Sequence, residues 1–369
     1  MKKRRVEYSS RSTEAFFVLT RAGLWEREPD SMACFPLTDD EWNEVYRLAV
    51  LQTLTGIVYR GMLRLPDNLL PPDAVLLRWV ARVDRIEREN QLMNGVIREL
   101  GDAFSAKGFR PVLQKGQGIA ALYEYPLLRE CGDIDFYFPD REQRAQADAW
   151  VEQQGISLCK EADGSVHYVW KGVTVEHHSR LIDLYSPFLQ HYLKELEDEM
   201  GFVAVRPWQD CDQEWRVASP LLNLLMLNAH ILKHALGWGI GLRQLCDMAR
   251  AYYSWHECFE RARLTEVYEK TGIGRWSKVL HGVLLDYLGM PADCLPDNGI
   301  PVSGYSLFHI IEQGGNFGQA ARGGAASGEG WHRKLSTACS FLRNAQFAFQ
   351  YAPWESAGIV SSLLKGQTR

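Results

Sequence analysis

The sequence has no long apolar run: nowhere are about 20 consecutive residues both apolar and free of charge, so no membrane span is expected. Its most apolar segment, Leu221 to Leu242, is interrupted by Asn223, Asn228, His230, Lys233 and His234 and reads as a buried helix. The opening MKKRRVEYSSRSTEAFFVL has the charge of a secretory leader, but its apolar run, Ala15 to Leu19, is too short for one. Eight cysteines, at 34, 131, 159, 211, 246, 258, 294 and 339, include no CxxC pair, and that spacing excludes zinc ribbons. Free thiols in a reducing cytoplasm are therefore expected. A basic excess is also missing. Lys and Arg number 41 against 46 Asp and Glu, a net charge of -5, which argues against a dedicated DNA-binding protein. No GxSxG motif supports a serine nucleophile. His230 and His234 have the i, i+4 spacing of a zinc-protease helix, but Ile231 stands where that chemistry needs Glu. There is no internal repeat.

What is present is the composition of a globular protein, 46% hydrophobic and 24% charged, in 369 residues, enough for two or three domains. Residues 1 to about 107 read as helical. Thr38 followed by Glu41 is a capping box, a proline-rich break spans Pro66 to Pro72, and Asp73 opens a long helix with apolar residues at helical spacing. Lys107-Gly108 stops that helix, and the period then changes. Pro111 to Lys115 reads as a strand, Gly116 to Tyr123 as a helix behind a glycine turn, and Asp133 to Phe138 as a second strand. Asp140 caps a helix running to Gly155. Ser165 to Trp170 and Val173 to His178 form a hairpin around Lys171-Gly172. From Leu184 onward the pattern is helical again, with helices near 256 to 271, 275 to 289 and 331 to 350. Gly314 to Gly330 reads as a loop rather than a linker between domains.

The chemistry concentrates between Lys115 and Asp140. Strand alternation puts Asp133 and Asp135 on one face, with Ile134, Phe136 and Phe138 on the other. Two like charges so placed call for a cation between them. On the later strand Thr174, Glu176 and His178 share a face, so Glu176 offers a third carboxylate. Carboxylates that converge from adjoining strands suit two Mg²⁺ ions and phosphoryl or nucleotidyl transfer. Lys115 and the Gly116–Gly118 turn suit a triphosphate. Lys233, Arg243 and Asp247 could face the same cleft, and Arg129 stands ready either for phosphate or for a local pair. The turn also fits G-x-G-x-x-A through Gly116, Gly118 and Ala121, with Asp140 at a ribose-binding distance, but a dinucleotide fold needs repeated βαβ units that this chain lacks.

VLQKG at 112 to 116, YP at 125 to 126, Arg129, GDIDFYF at 132 to 138 and VTVEHHSRL at 173 to 181 together resemble the uncharacterised nucleotidyltransferase family of the polymerase-beta-like nucleotidyltransferase superfamily. HILKHALGWGIGLRQLCDM at 230 to 248 resembles its helical region. The resemblance implies an α+β protein: a small mixed β-sheet nucleotidyltransferase core at 108–183, flanked by an N-terminal helical region at 1–107 and a C-terminal helical domain at 184–369. It implies catalytic and metal-binding roles for Asp133, Asp135 and Glu176, and nucleotide contacts from Lys115, Gly116, Gly118, Arg129 and His178. Mg²⁺ and an NTP follow, with a small molecule, saccharide, protein or RNA as acceptor. Lys115-Gly116 replaces the superfamily's Gly-Ser, and Glu176 replaces its usual Asp. A nucleotide-binding module that keeps the fold without turnover is the alternative.

Overall fold

The computed structural model describes residues 8–161, 163–184, 186–208, 211, 213–236, 239–296, 302–314 and 345–364. Helix α1 (Arg11–Leu24) is capped by Ser10, and α2 (Asp39–Leu51) carries the expected capping box, in which Thr38 and Glu41 satisfy each other's backbone N–H. α3 (Thr55–Met62) packs on α1 so closely that Gly61 admits the backbone of Leu19. A Cβ there would stand 1.9 Å from the Leu19 carbonyl oxygen.

The long helix α4 (Asp73–Ala106) joins two hydrophobic cores. Its first half gives Val75, Trp79 and Val83 to a core shared with α1 to α3 and the C-terminal helices. Its second half gives Met93, Val96, Ile97, Leu100 and Phe104 to a core under the sheet. Phe104 is fully buried and meets Phe136, Phe138, Trp150 and His177 edge-on. Burying such a ring stabilises the fold by about 1.5–3 kcal/mol.

The sheet is seven-stranded and mixed. Its strands are β1 (Val112–Gln114), β2 (Ile134–Tyr137), β3 (Cys159–Lys160), β4 (Val166–Trp170), β5 (Val173–His178), β6 (Phe202–Val205) and β7 (Trp215–Ala218). They lie in the order β3-β4-β5-β2-β1-β7-β6. α5 (Lys115–Ala120) follows β1, α6 (Arg141–Gln153) follows β2, and α7 (Gln190–Met200) precedes β6. The chain is thus an α+β protein. The expected hairpin is present, with Lys171 and Gly172 at φ 49° and 84° in its turn. The purely helical reading after Leu184 is corrected by β6 and β7, which extend the sheet past β1. Four residues each, they are too short to display a period.

α8 (Pro220–Leu236) and α9 (Leu242–Trp255) divide the apolar segment, and α10 (Arg261–Lys270), α11 (Gly274–Asp286) and α12 (Tyr305–Gly314) follow. α13 (Ala345–Tyr351) and α14 (Pro353–Leu364) end the described chain. Of the loop expected at Gly314 to Gly330, Gly314 is the last residue of α12 and the rest, with most of the helix expected at 331 to 350, lies outside the described residues; α13 overlaps the end of that helix. No described helix is long and apolar enough to cross a membrane.

Candidate active site

β2 and β5 run parallel, and their register sets Asp135 directly opposite Glu176. Alternation turns Ile134, Phe136, Val175 and His177 into the core and leaves Asp135, Glu176 and His178 on the other face. The register places the acids; the apolar alternates hold the register, because a one-residue slip would turn the acids into the apolar core and set Phe136 among the charged groups. One ligand atom from each of Asp135, Glu176 and His178 lies within 4.8 Å of the other two. His178 Nε2 is 2.5 Å from Asp135 Oδ1 and 3.6 Å from Glu176 Oε2.

Lys115 reaches the same spot from the turn after β1, its Nζ 3.7 Å from Asp135 Oδ1. Lys115 and Gly116 both take positive φ, 39° and 30°, and a Cβ on Gly116 would come within 3.3 Å of the Asp133 carbonyl oxygen. A side chain is disfavoured at that φ, so glycine lets the turn close against the strand that carries the acids. Gly118 packs on Leu113 of β1 from the same short helix. Asp133 precedes β2 and remains partly exposed, while Asp135 is 5% exposed.

The charges interact strongly. Burial opposes the ammonium of Lys115, but Asp135, Asp183, Glu176 and Asp133 outweigh it and raise its pKa. Burial likewise opposes the Asp135 carboxylate, yet Lys115 and His178 hold its pKa below the ordinary carboxylate value. Repulsion from Asp135, followed by burial, pushes the Asp133 carboxyl up. One ammonium thus serves several carboxylates, and the strain falls on Asp133.

Helices α8 and α9 supply the facing wall. Lys233 pairs with Asp183 at 2.8 Å, and Arg243 donates to the Glu130 carbonyl at 2.7 Å. Burial, with Lys115 and Lys233 adding to it, holds His230 and His234 far below the ordinary imidazole value, His234 down to about 3. Both rings are therefore neutral near pH 7, and the wall's charge comes from Lys233 and Arg243.

Arg129, expected either at phosphate or in a local pair, is committed to a buried pair. Its side chain is 5% exposed and forked onto Asp247 of α9, with Nη2 to Oδ2 at 2.5 Å and Nε to Oδ1 at 3.1 Å. Tyr123 donates to the same carboxylate at 2.8 Å. This network ties the approach to β2 onto the helical region.

Two residues near the acids escaped the sequence reading. Asp183 lies in irregular chain after β5, with no periodicity to betray it. Gln114 ends β1 in register with Asp135 across the antiparallel β1–β2 pair. It is 2% exposed, and neither its Oε1 nor its Nε2 has a partner among the described residues. Buried amides are normally satisfied, so this pair of orphans marks room for a polar guest or water beside Asp135.

The donor set fits a hard divalent cation. Carboxylate oxygens from adjoining strands are the ligands Mg²⁺ takes, a cation would relieve the repulsion that raises Asp133, and Gln114 leaves unused polar atoms next to them.

The fold and the site define a class: an α+β protein whose mixed sheet carries an acid cluster beside a lysine-glycine turn. Residues 38–280 match the model of a family described as uncharacterised nucleotidyltransferase, and the chain belongs to that family. No curated protein and no solved structure matches the chain.

Proposed function

We propose that this protein is a Mg²⁺-dependent nucleotidyltransferase that moves an NMP group from an NTP to an acceptor hydroxyl, phosphate or similar oxygen. The observation that carries this reading is the parallel register of Asp135 with Glu176, which converges two carboxylates beside Lys115. Asp133, Asp135 and Glu176 would hold the metal. Bound there, Mg²⁺ supplies positive charge to the triphosphate and acidity to the attacking hydroxyl.

The chain's own residues do the rest. Lys115, already charged and fixed by its turn, binds phosphate oxygens, with Lys233 and Arg243 extending the positive wall. Gly116 and Gly118 keep that turn narrow enough for backbone to approach the phosphates. Glu176, partly exposed, accepts the acceptor's proton on a carboxylate oxygen. The acceptor oxygen then bonds to the α-phosphorus, the bond to the β-phosphate oxygen breaks, and pyrophosphate leaves. His178 orients Asp135 through its Nε2 contact. Arg129 acts behind the site by fixing Asp247 and the segment that enters β2. The acceptor class is a small molecule, saccharide, protein or RNA.

The test is transfer of label from α-labelled NTP with Mg²⁺. Asp133→Asn/Asp135→Asn should lower the rate by about 10²–10³-fold or more, the scale of losing electrostatic stabilisation of the transition state. A wild-type rate in that variant sinks the assignment. A second reading, a nucleotide-binding module without turnover, is favoured by one observation: Lys115 and His178 already engage Asp135. Calorimetry separates the two, because a module would bind NTP without Mg²⁺ and release no pyrophosphate with any acceptor.

A further inference from the structure

On the opposite face of the same two strands, a cavity of about 350 Å³ opens between the start of α6 and the chain leaving β5. Phe138, Arg141, Arg144, Ala145, Asp148, Asp163, Ser179 and Arg180 line it. Phe138 and Asp148 place it on the core side of the sheet: Phe138 packs on Phe104, and Asp148 Oδ1 is 2.6 Å from His177 Nδ1. The acid cluster lies on the other side.

Three guanidinium groups and two carboxylates meet here, and both carboxylates are committed. Asp148 holds His177 and lies 3.7 Å from Arg144 Nε, while Asp163 Oδ1 accepts the Ser165 N–H at 2.9 Å. Arg144 donates through Nη2 to the Gly164 carbonyl, and Ser179 donates to the Asp163 carbonyl at 2.9 Å, so the wall is built by hydrogen bonds. Arg144 Nε is buried with no acceptor at hydrogen-bond distance among the described residues. Arg141 and Arg180 are exposed and form no hydrogen bond or ion pair among the described residues. The first N–H groups of α6 are not the attraction, because Asp140 already caps those of Glu142 and Gln143. The positive excess rests on side chains.

We propose that this cavity is a second, separate ligand site that takes the phosphate group of a small phosphorylated molecule. Guanidinium forks match the oxygens of a dianionic phosphate, and two unpaired forks at the mouth beside a third in the wall are the arrangement that phosphate rewards. The volume is at the lower end for small-molecule sites and fits a compact phosphate ester or phosphate itself. The site is independent of the nucleotidyl-transfer reading, because none of its residues belongs to the acid cluster.

Calorimetry with inorganic phosphate and with glycerol 3-phosphate tests it, glycerol being the uncharged control. The full-length protein should bind at least one phosphate probe and not glycerol. Arg141→Gln/Arg180→Gln should weaken that binding by about tenfold or more, the loss of one to two charge-assisted hydrogen bonds, without lowering the melting temperature. Asp135→Asn should leave it unchanged. Tighter binding of glycerol 3-phosphate than of phosphate identifies an ester as the ligand; equal binding identifies the free anion. Failure of the wild-type protein to bind either probe overturns the proposal. So does equal affinity in the double arginine variant, or a changed affinity in Asp135→Asn, which would locate the phosphate on the acid face. None of these results depends on whether NMP transfer occurs.

Discussion

His177 and His178 are neighbours in sequence and opposites in environment. His177 is fully buried on the core face, its Nδ1 2.6 Å from Asp148 and its Nε2 3.0 Å from the Tyr168 hydroxyl. His178, on the other face, meets Asp135 and Glu176 beside Lys115. One face of β2 and β5 closes its polar groups into fixed pairs. The other gathers carboxylates around too few cations, and the side-chain amide of Gln114 beside them has no hydrogen-bond partner among the described residues. Residue type does not separate these two histidines. The pleat does, by assigning alternate positions to a satisfied core and to a face with charge to spare.

The largest effect should come from opening a closed pair. Arg129→Met leaves Asp247 buried without its cation and should cost about 3–5 kcal/mol, read as a drop in the urea midpoint. If stability barely changes, the contrast between closed and open charges fails at its firmest point.

A smaller effect separates the two histidines. His177→Phe orphans the Tyr168 hydroxyl and Asp148 and should cost about 1–3 kcal/mol, with Mg²⁺-dependent NTP binding retained. His178→Ala should do the reverse, weakening NTP binding or transfer while leaving the melting temperature nearly unchanged. Matching behaviour of the two variants would erase the distinction between the faces.

The smallest effect is a dependence on pH. His230 and His234 have folded pKa values below the unfolded value, His234 at about 3. Below about pH 6.5 the unfolded chain takes up protons that the folded chain refuses, so their contribution is whole above that pH and declines as pH falls towards 3. Melting temperature should therefore drop between about pH 7.5 and pH 5, and His234→Gln should drop less over the same interval. An equal slope in the variant removes His234 from the account.

Much of the site was legible because strand alternation is a strict period. The sequence set Asp135 opposite the apolar side of its strand and Glu176 with His178 on one side of another, and the capping box at Thr38 and the hairpin at Lys171-Gly172 announced their elements. What escaped depends on distance along the chain. The Arg129–Asp247 fork joins residues 118 apart, and no local pattern carries that pairing. Gln114 gains its meaning only from its antiparallel register with Asp135. β6 and β7 are strands because the edge of β1 is there to pair with, which four residues cannot advertise. The cavity on the core side draws Arg141 and Arg180 together from a helix start and a strand end, again a product of the fold rather than of any motif.

The central claim is that Asp133, Asp135 and Glu176 act together as a metal and nucleotide site. Titration with Mn²⁺ in the presence of a non-hydrolysable NTP, followed by electron paramagnetic resonance, tests it most directly. The account predicts on the order of two ions bound per wild-type chain, and loss of that binding in both Asp135→Asn and Glu176→Gln. Unchanged Mn²⁺ stoichiometry and affinity in those variants would contradict it.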